Sequence, residues 1–211
     1  MDCLTVAMAK GRIANQAIAL LEEAGILFSD FTVKSRKLIF MDDSNSIKLI
    51  FVKAVDVPTY VEQGAADIGV IGKDVLLEDP KDVYELLDLV IGKCKLSVAG
   101  YPELELNELT QLTVASKYPK IAKLHFEQRG IRTNIIELNG SVELAPLIGL
   151  ADCIVDIVET GTTLKENGLV VIEDVAEVSA RLIVNKASYA IKTKQIQKFI
   201  ADVKTGLEVY S

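Results

Sequence analysis

An eight-residue segment that returns, altered, in the second half of the chain does most to restrict the fold. Gly64-Ala-Ala-Asp-Ile-Gly-Val-Ile71 reappears as Gly149-Leu-Ala-Asp-Cys-Ile-Val-Asp156, about 85 positions further on. In each copy a helix runs into a glycine that closes it. An aspartate follows, then an apolar run with the composition of a buried strand. A chain that repeats helix, stop and buried strand in this way is an α/β protein of two lobes built alike.

Periodicity and punctuation extend this reading. Leu4–Ala9 reads as a strand, Lys10-Gly11-Arg12 as a turn, and Ile13–Ala24 as a helix with Ile13, Ala17, Leu20, Leu21 and Ala24 on one face and Gly25 closing it. Lys37–Met41 and Ile47–Val52 flank an Asp-Asp-Ser-Asn-Ser turn and form a hairpin. Asp56 caps a short helix with Pro58 in its first turn, Ala66–Ile71 is a strand, and 73–91 is mixed, with Pro80 as breaker. Leu96–Ala99 and Leu112–Ala115 are strands, Ser116 caps a helix that ends at Gly130, and Ile131–Leu138 is a strand. Val142–Leu150 is a short helix, Cys153–Val158 a strand, and Leu164–Asn167 a helical turn stopped by Gly168. Val170–Ile172 and Leu182–Asn185 are extended, and Lys192–Val209 is a closing helix. The expected division is a lobe I of residues 1–91 plus 174–211 and a lobe II of residues 92–173. Clefts between lobes, and the carboxyl ends of strands in open α/β sheets, are favoured ligand sites. That marks Lys10–Arg12, Gly72–Asp74, Ser116–Lys117 and Glu159–Thr163 as candidate walls.

Composition narrows the function. Half of the 211 residues are apolar, enough for a real core, and Val, Ile and Leu fill it in the absence of Trp. The formal net charge of −7 argues against wholesale binding to nucleic acid or to an anionic membrane, so an anionic substrate needs a local cluster of cations and backbone dipoles. Arg36, Lys53 and Lys73 are strand-end cations that offset the acidic background locally. No apolar run reaches membrane length, and Met1-Asp-Cys-Leu-Thr-Val6 reads as a strand start and not a signal peptide, which points to a cytoplasmic protein. Cys3, Cys94 and Cys153 are scattered and suggest neither a disulfide framework nor a zinc site, and no metal-ligating set is marked. The only histidine, His125, falls in a polar helix and reads as a surface residue, which disfavours nucleophilic engines that depend on one. Gly69-Val-Ile-Gly-Lys-Asp74 fails the Walker pattern, and no G-x-G-x-x-G occurs, so neither phosphoryl transfer nor a dinucleotide fold is indicated.

The segment Asp156-Ile-Val-Glu-Thr-Gly-Thr-Thr-Leu164 carries the sharpest chemistry. A buried strand feeding a Gly/Thr turn at a helix start aims backbone N–H groups in one direction, and Thr160, Thr162 and Thr163 add hydroxyl donors, which together cradle a phosphate. Asp156 and Glu159 beside such a cradle repel an anion unless they accept hydrogen bonds from sugar hydroxyls or hold a shared divalent cation. The combination suggests a sugar phosphate. The same residues also suit an ordinary strand-to-helix turn with a Thr cap. Lys10-Gly11-Arg12 places two cations and a permissive backbone at a strand end, in a ligand role or as a solvated basic turn. Asn139-Gly140-Ser141-Val142-Glu143 opens a helix with Ser141 as N-cap, and offers a second donor wall.

Ala9-Lys-Gly-Arg12, Asp56-Val-Pro58, Gly64 through Asp74, Leu138-Asn-Gly-Ser-Val-Glu-Leu-Ala-Pro146, Gly149-Leu-Ala-Asp152 and Asp156 through Leu169 span nearly the whole chain in one order. With these segments the sequence resembles the ATP phosphoribosyltransferase family, catalytic subunits of the short form. The resemblance implies a two-lobed fold like periplasmic binding proteins, with the active site in the interlobe cleft. It implies a Mg²⁺-dependent transfer of phosphoribosyl from phosphoribosyl pyrophosphate (PRPP) to N1 of the adenine of ATP, releasing pyrophosphate, as the first step of histidine biosynthesis. Asp156, Glu159, Thr160, Gly161, Thr162, Thr163 and Leu164 would hold PRPP; Lys10, Gly11, Arg12, Lys53, Ser141 and Glu143 would hold ATP or pyrophosphate; Asp156, Glu159 and Arg12 would be catalytic. The magnesium would be carried on the substrate. The chain ends where long members continue into a regulatory domain, which implies a partner subunit similar to histidyl-tRNA synthetase. A non-catalytic two-lobed module for a small anionic solute and a nucleobase phosphoribosyltransferase are the alternatives.

Overall fold

The computed structural model describes residues 3–210. Met1 and Asp2, read above as the approach to the first strand, lie outside the described residues. The chain forms two α/β units. Unit 1 takes the residues up to Gly92 and those from Ser179 onward, and unit 2 runs from Lys93 to Val178. Unit 1 begins with β1 (Leu4–Ala9), α1 (Arg12–Glu23), β2 (Ile39–Met41), β3 (Ile47–Val52), α2 (Val57–Glu62), β4 (Ile68–Gly72), α3 (Lys73–Glu78) and β5 (Val83–Asp88). Unit 2 contains β6 (Cys94–Gly100), β7 (Gln111–Ser116), α4 (Pro119–Gln128), β8 (Arg132–Glu137), α5 (Leu144–Leu147), β9 (Cys153–Val158), α6 (Thr162–Glu166) and β10 (Val170–Val178). Unit 1 then resumes as β11 (Ala180–Asn185), α7 (Lys186–Ile191) and α8 (Thr193–Tyr210).

Each unit is built around three parallel strands. Sheet order in unit 1 is β2-β3-β1-β4-β11-β5, with β1 parallel to both β3 and β4. Order in unit 2 is β10-β6-β9-β7-β8, with β7 parallel to both β8 and β9. Alternation along the middle strand serves both faces. In unit 1, Val6 and Met8 join the core under α1 and α8, whereas Ala7 meets Val57 and Val61 of α2 on the other side. In unit 2, Val114 and Val155 pack with Tyr118, Ala122 and Phe126, whereas Ala115 and Ile154 pack with Ala145 of α5 and Leu164 of α6. The closing helix α8 lies close against α1, because a Cβ at Gly206 would stand 2.5 Å from the Leu20 carbonyl oxygen.

The repeated segment is a repeated structure. Gly64 and Gly149 both adopt φ of 72°, the left-handed region that glycine enters without strain. Asp67 N–H donates to the Thr5 carbonyl at 2.9 Å and its carboxylate accepts Thr5 N–H at 2.9 Å. Asp152 N–H donates to the Thr113 carbonyl at 2.8 Å and its carboxylate accepts Thr113 N–H at 2.7 Å. The aspartate therefore clamps the incoming strand to the middle strand, once in each unit. Among the described residues the first clamp alone is elaborated: Asp67 is buried and also accepts from Ser188 Oγ at 2.7 Å and Lys192 Nζ at 2.9 Å.

Several elements differ from the sequence reading, each for a local reason. Strand β10 runs on past 172 to Val178, and so keeps 174–178 in unit 2 where the reading had put them in lobe I. Register shifts between Val171 and Glu173 and between Asp174 and Ala176 break its alternation. Helix α4 starts at Pro119, not at Ser116. Ser116 is fully buried; its hydroxyl donates to the Val155 carbonyl at 2.6 Å and accepts Tyr118 N–H at 2.8 Å. Asp56 precedes α2 without a side-chain cap bond. The mixed stretch 73–91 resolves into α3 and the edge strand β5. Helix α7 is short and unsignalled by periodicity, and Asn185 starts it by accepting Ser188 N–H at 2.8 Å.

Candidate functional site

In unit 2, β9, β7 and β8 point the same way, so their carboxyl ends share one edge of the sheet. The connection from β7 goes to β8 on one side, and the chain then crosses to β9 on the other. That is a topological switch point, and ligands of open α/β sheets sit outside it. Three segments from the sequence reading meet this edge: Ser116–Lys117 after β7, Asn139–Glu143 after β8, and Glu159–Thr163 after β9.

The bend after β9 is shaped by Gly161, whose φ of 70° and ψ of 5° turn the chain into α6. The helix begins at Thr162, earlier than the expected turn at Leu164. No side chain caps it. Its ladder opens with Lys165 N–H donating to the Gly161 carbonyl at 3.0 Å, which leaves the N–H groups of residues 162–164 ahead of it. Thr160 Oγ1 and Thr162 Oγ1 stand 3.0 Å apart, and Thr162 N–H reaches Thr160 Oγ1 only at 3.4 Å. Glu159, Thr160, Thr162 and Thr163 are exposed, whereas Leu164 is buried. Asp156 is half-buried, and its Oδ1 accepts Ile157 N–H at 2.8 Å. An oriented set of amides and hydroxyls with two carboxylates alongside is suited to a phosphate at one end and to hydroxyl donors next to it.

The segment after β8 is a turn and not a capped helix start. Ser141 takes φ of 48°, so it is not an N-cap, and its carbonyl accepts Leu144 N–H at 3.1 Å. Helix α5 is the single turn Leu144–Leu147, shorter than the expected Val142–Leu150. Ser141 is exposed and Glu143 half-buried. Val142 between them packs in the same cluster as Leu164, Ala115, Ile154 and Leu169. The structure thus brings the Ser141–Glu143 turn and the Thr160–Leu164 bend onto one apolar floor.

Unit 1 shows the same geometry with different residues. The carboxyl ends of β3, β1 and β4 carry Lys53, Lys10–Arg12 and Lys73. Gly11 has φ of 137° at the start of α1, which allows the turn from strand to helix with no side chain in the way. Arg12 and Lys53 are exposed. The Lys10 ammonium donates to the Ser35 carbonyl and lies 5.6 Å from the Phe51 ring centroid. Lys34, Arg36 and Lys37 flank Ser35 and are exposed, with Lys37 paired to Asp30 at 3.5 Å. Sequence reasoning singled out Arg36 alone of these, as a strand-end cation before Lys37–Met41; the strand itself starts at Ile39. Lys73 is held by Glu85 in an ion pair and is less available than its position suggested. Asp74 is buried, with a carboxylate oxygen directly over Gly72.

The single histidine is not at either edge. His125 lies on α4, on the face opposite α5 and α6, and its Nε2 donates to Glu173 at 2.6 Å. It is half-buried and not the surface residue expected; burial, helped by the charge of Arg129, holds its pKa below the ordinary value. Burial, with the charge of Asp152 adding to it, pushes the Cys153 thiol up to about 12, so it is a core group and not a nucleophile. Among the described residues no three His, Cys, Asp or Glu side chains converge as a metal cage, and no helix is long and apolar enough to cross a membrane.

Comparison with known proteins identifies the family and the fold. Residues 53–205 match the family model described as ATP phosphoribosyltransferase. An ATP phosphoribosyltransferase of Oceanobacillus iheyensis is 52% identical over 205 residues, covering 97% of this chain and 99% of the relative. One from Listeria monocytogenes is 50% identical, covering 99% and 98%. Among solved structures, the ATP phosphoribosyl transferase (HisG:HisZ) complex of Thermotoga maritima matches at a TM-score of 0.84 with 33% identity, covering 97% of this chain and 98% of that one. The periplasmic aliphatic sulphonate binding protein SsuA of Escherichia coli matches at a TM-score of 0.62 with 15% identity, covering 98% and 69%, a likeness of fold alone.

Proposed function

The chain belongs to the ATP phosphoribosyltransferase family, the transferases of the first step of histidine biosynthesis, and on that premise we propose how its two strand edges divide the substrates. The bend Thr160–Leu164 takes the 5-phosphate of PRPP, with Asp156 and Glu159 against the ribose. Lys10, Gly11, Arg12 and Lys53 take the phosphates of ATP or the departing pyrophosphate, with Ser141 and Glu143 as a further wall. The observation that carries this is the uncapped α6 N-terminus behind an αL glycine, flanked by exposed threonine hydroxyls and two carboxylates.

Adenine N1 attacks C1 of the ribose, the N1–C1 bond forms, and the C1–O bond to pyrophosphate breaks. The lone pair on N1 is already nucleophilic, so no strong base is required, in keeping with a histidine that sits on the far face of unit 2. Asp156 and Glu159 stabilise positive charge that develops on the ribose, and Lys10 and Arg12 stabilise the negative charge on the leaving group. Asp156 and Glu159 offer the carboxylate oxygens that Mg²⁺ prefers and would hold it together with the substrate's own phosphates, where it would supply charge neutralisation to the leaving group. Family membership sets aside the solute-binding module and the nucleobase salvage enzyme. We further propose that the chain works with a subunit similar to histidyl-tRNA synthetase, a reading supported by the HisG:HisZ complex among its structural neighbours.

The test is incubation with ATP, PRPP and Mg²⁺, with and without that subunit, monitoring phosphoribosyl-ATP. Formation of a phosphoribosylated free base in place of the ATP adduct, or no adduct even with the subunit, refutes the assignment.

A further inference from the structure

Lys117 directly follows β7, the middle strand of the parallel trio in unit 2. The β7–β9 register pairs Val114 with Cys153, Ala115 with Ile154 and Ser116 with Val155 and ends there, so Lys117 is the first residue past the ladder on β7, as Asp156 is on β9. The Ser116 hydroxyl ties the turn to β9 by donating to the Val155 carbonyl at 2.6 Å, and it accepts Tyr118 N–H at 2.8 Å. Tyr118 is drawn into the core at 4% exposure, and Lys117 is left exposed between a fixed serine and a fixed tyrosine. Its ammonium lies 5.9 Å from the Tyr118 ring centroid. Lys95 and Arg129 of the same unit are neutralised by Asp174 and Glu173. Among the described residues Lys117 forms no ion pair, although it occupies the switch point of an acidic chain.

We propose that Lys117 is a substrate-binding residue that contacts the pyrophosphate limb of PRPP. The proposal rests on reading the Thr160–Leu164 bend as the seat of the 5-phosphate. Position separates the two roles. Lys117 leaves the sheet one residue past the Ser116–Val155 pair, whereas the bend lies beyond Val158 at the end of β9; at the rise of an extended chain the gap is on the order of 10 Å. One phosphate does not bridge that gap, whereas a pentose phosphorylated at both ends does. Chemistry agrees. The bend offers neutral hydroxyls and amides in fixed directions, suited to one phosphate. A lysine offers a movable full charge, suited to a diphosphate next to a carboxylate that would otherwise repel it.

The experiment is calorimetric binding of PRPP and of ribose 5-phosphate, in Mg²⁺ buffer, to the full chain as wild type, Lys117→Met, Lys117→Arg and Thr162→Ala/Thr163→Ala. Losing one charge-assisted contact raises Kd about tenfold or more. Lys117→Met is expected to raise the PRPP Kd by that factor and leave ribose 5-phosphate within about twofold, with Lys117→Arg restoring most PRPP affinity. The threonine variant is expected to lose both ligands. Unchanged PRPP affinity in Lys117→Met, or equal loss of both ligands, overturns the lysine contact. Unchanged ribose 5-phosphate affinity in the threonine variant overturns the reading of the bend instead, as does a wild-type chain that binds no PRPP. The lysine is exposed, so an unshifted melting temperature in Lys117→Met checks that the fold is intact.

Discussion

The twin aspartate clamps allow one substitution to be made twice in the same chain. Asp67→Ala removes a carboxylate that accepts Thr5 N–H at 2.9 Å, Ser188 Oγ at 2.7 Å and Lys192 Nζ at 2.9 Å. The Asp67 side chain is 7% exposed and that of Lys192 22%. Removing one partner of a buried pair costs about 3–5 kcal/mol, and the lower end applies because the lysine regains some water. Asp152→Ala removes only the Thr113 N–H bond of 2.7 Å from an exposed carboxylate. That costs about 1 kcal/mol, the net worth of an ordinary hydrogen bond. For a chain of this size, about 3 kcal/mol lowers the melting temperature by roughly 6–12 °C and about 1 kcal/mol by roughly 2–4 °C. Urea unfolding followed by far-UV circular dichroism gives both values, and Lys192→Met with the double variant completes a cycle. Equal losses from the two aspartates, or no coupling between Asp67 and Lys192, would refute the claim that environment and not motif sets the strength of the clamp.

Three further outcomes are expected. Gly161→Val forces a β-branched residue to φ of 70° where the nearest foreign atom to its Cβ is 3.8 Å away, so the cost is backbone strain of about 1–2 kcal/mol, and PRPP affinity should fall while ATP affinity holds. Arg12→Ala should weaken ATP or pyrophosphate binding by about 1–3 kcal/mol, read by calorimetry; wild-type affinity would count against its role. Asp42 is desolvated, yet hydrogen bonds from Ser44, Ile47 and Ser46 outweigh that and hold its pKa below the ordinary carboxylate value. Its stabilisation is therefore complete above about pH 4 and is lost as pH falls through the lower folded pKa. Asp42→Asn should destabilise by about 1–3 kcal/mol at neutral pH and by less at pH 2–3, measured by urea midpoints.

The parts of the fold that the sequence made legible are those whose residues answer to a single rule. Strands β1 and β9 are apolar on both faces save for Thr5 and Asp156, and α1 carries an unbroken stripe with a glycine after it, so pattern and structure coincide. Strand β10 obeys three registers in succession, and its two bulges hide half of it. Ser116 looked like a cap because it precedes a helical pattern, but Pro119 sets the helix start and the serine instead joins two strands. The Thr bend was visible as composition, whereas the shared floor beneath it and Ser141–Glu143 depends on Val142 and Leu164 joining one cluster, which no local pattern encodes. The basic segment around Ser35 was hidden for the same reason, since a long-range lysine-to-carbonyl bond positions it.

That shared floor has a mechanical corollary. Val142 and Leu164 are the roots of two different rims, and both are embedded in one small patch with Ala99, Ala115 and Ile154. A void or an excess methyl there tilts both rims together, since a close-packed interior passes displacement on and does not absorb it. On the proposed assignment, selection would find it hard to retune one rim without disturbing the other, and substitutions that spare every polar group would still move both.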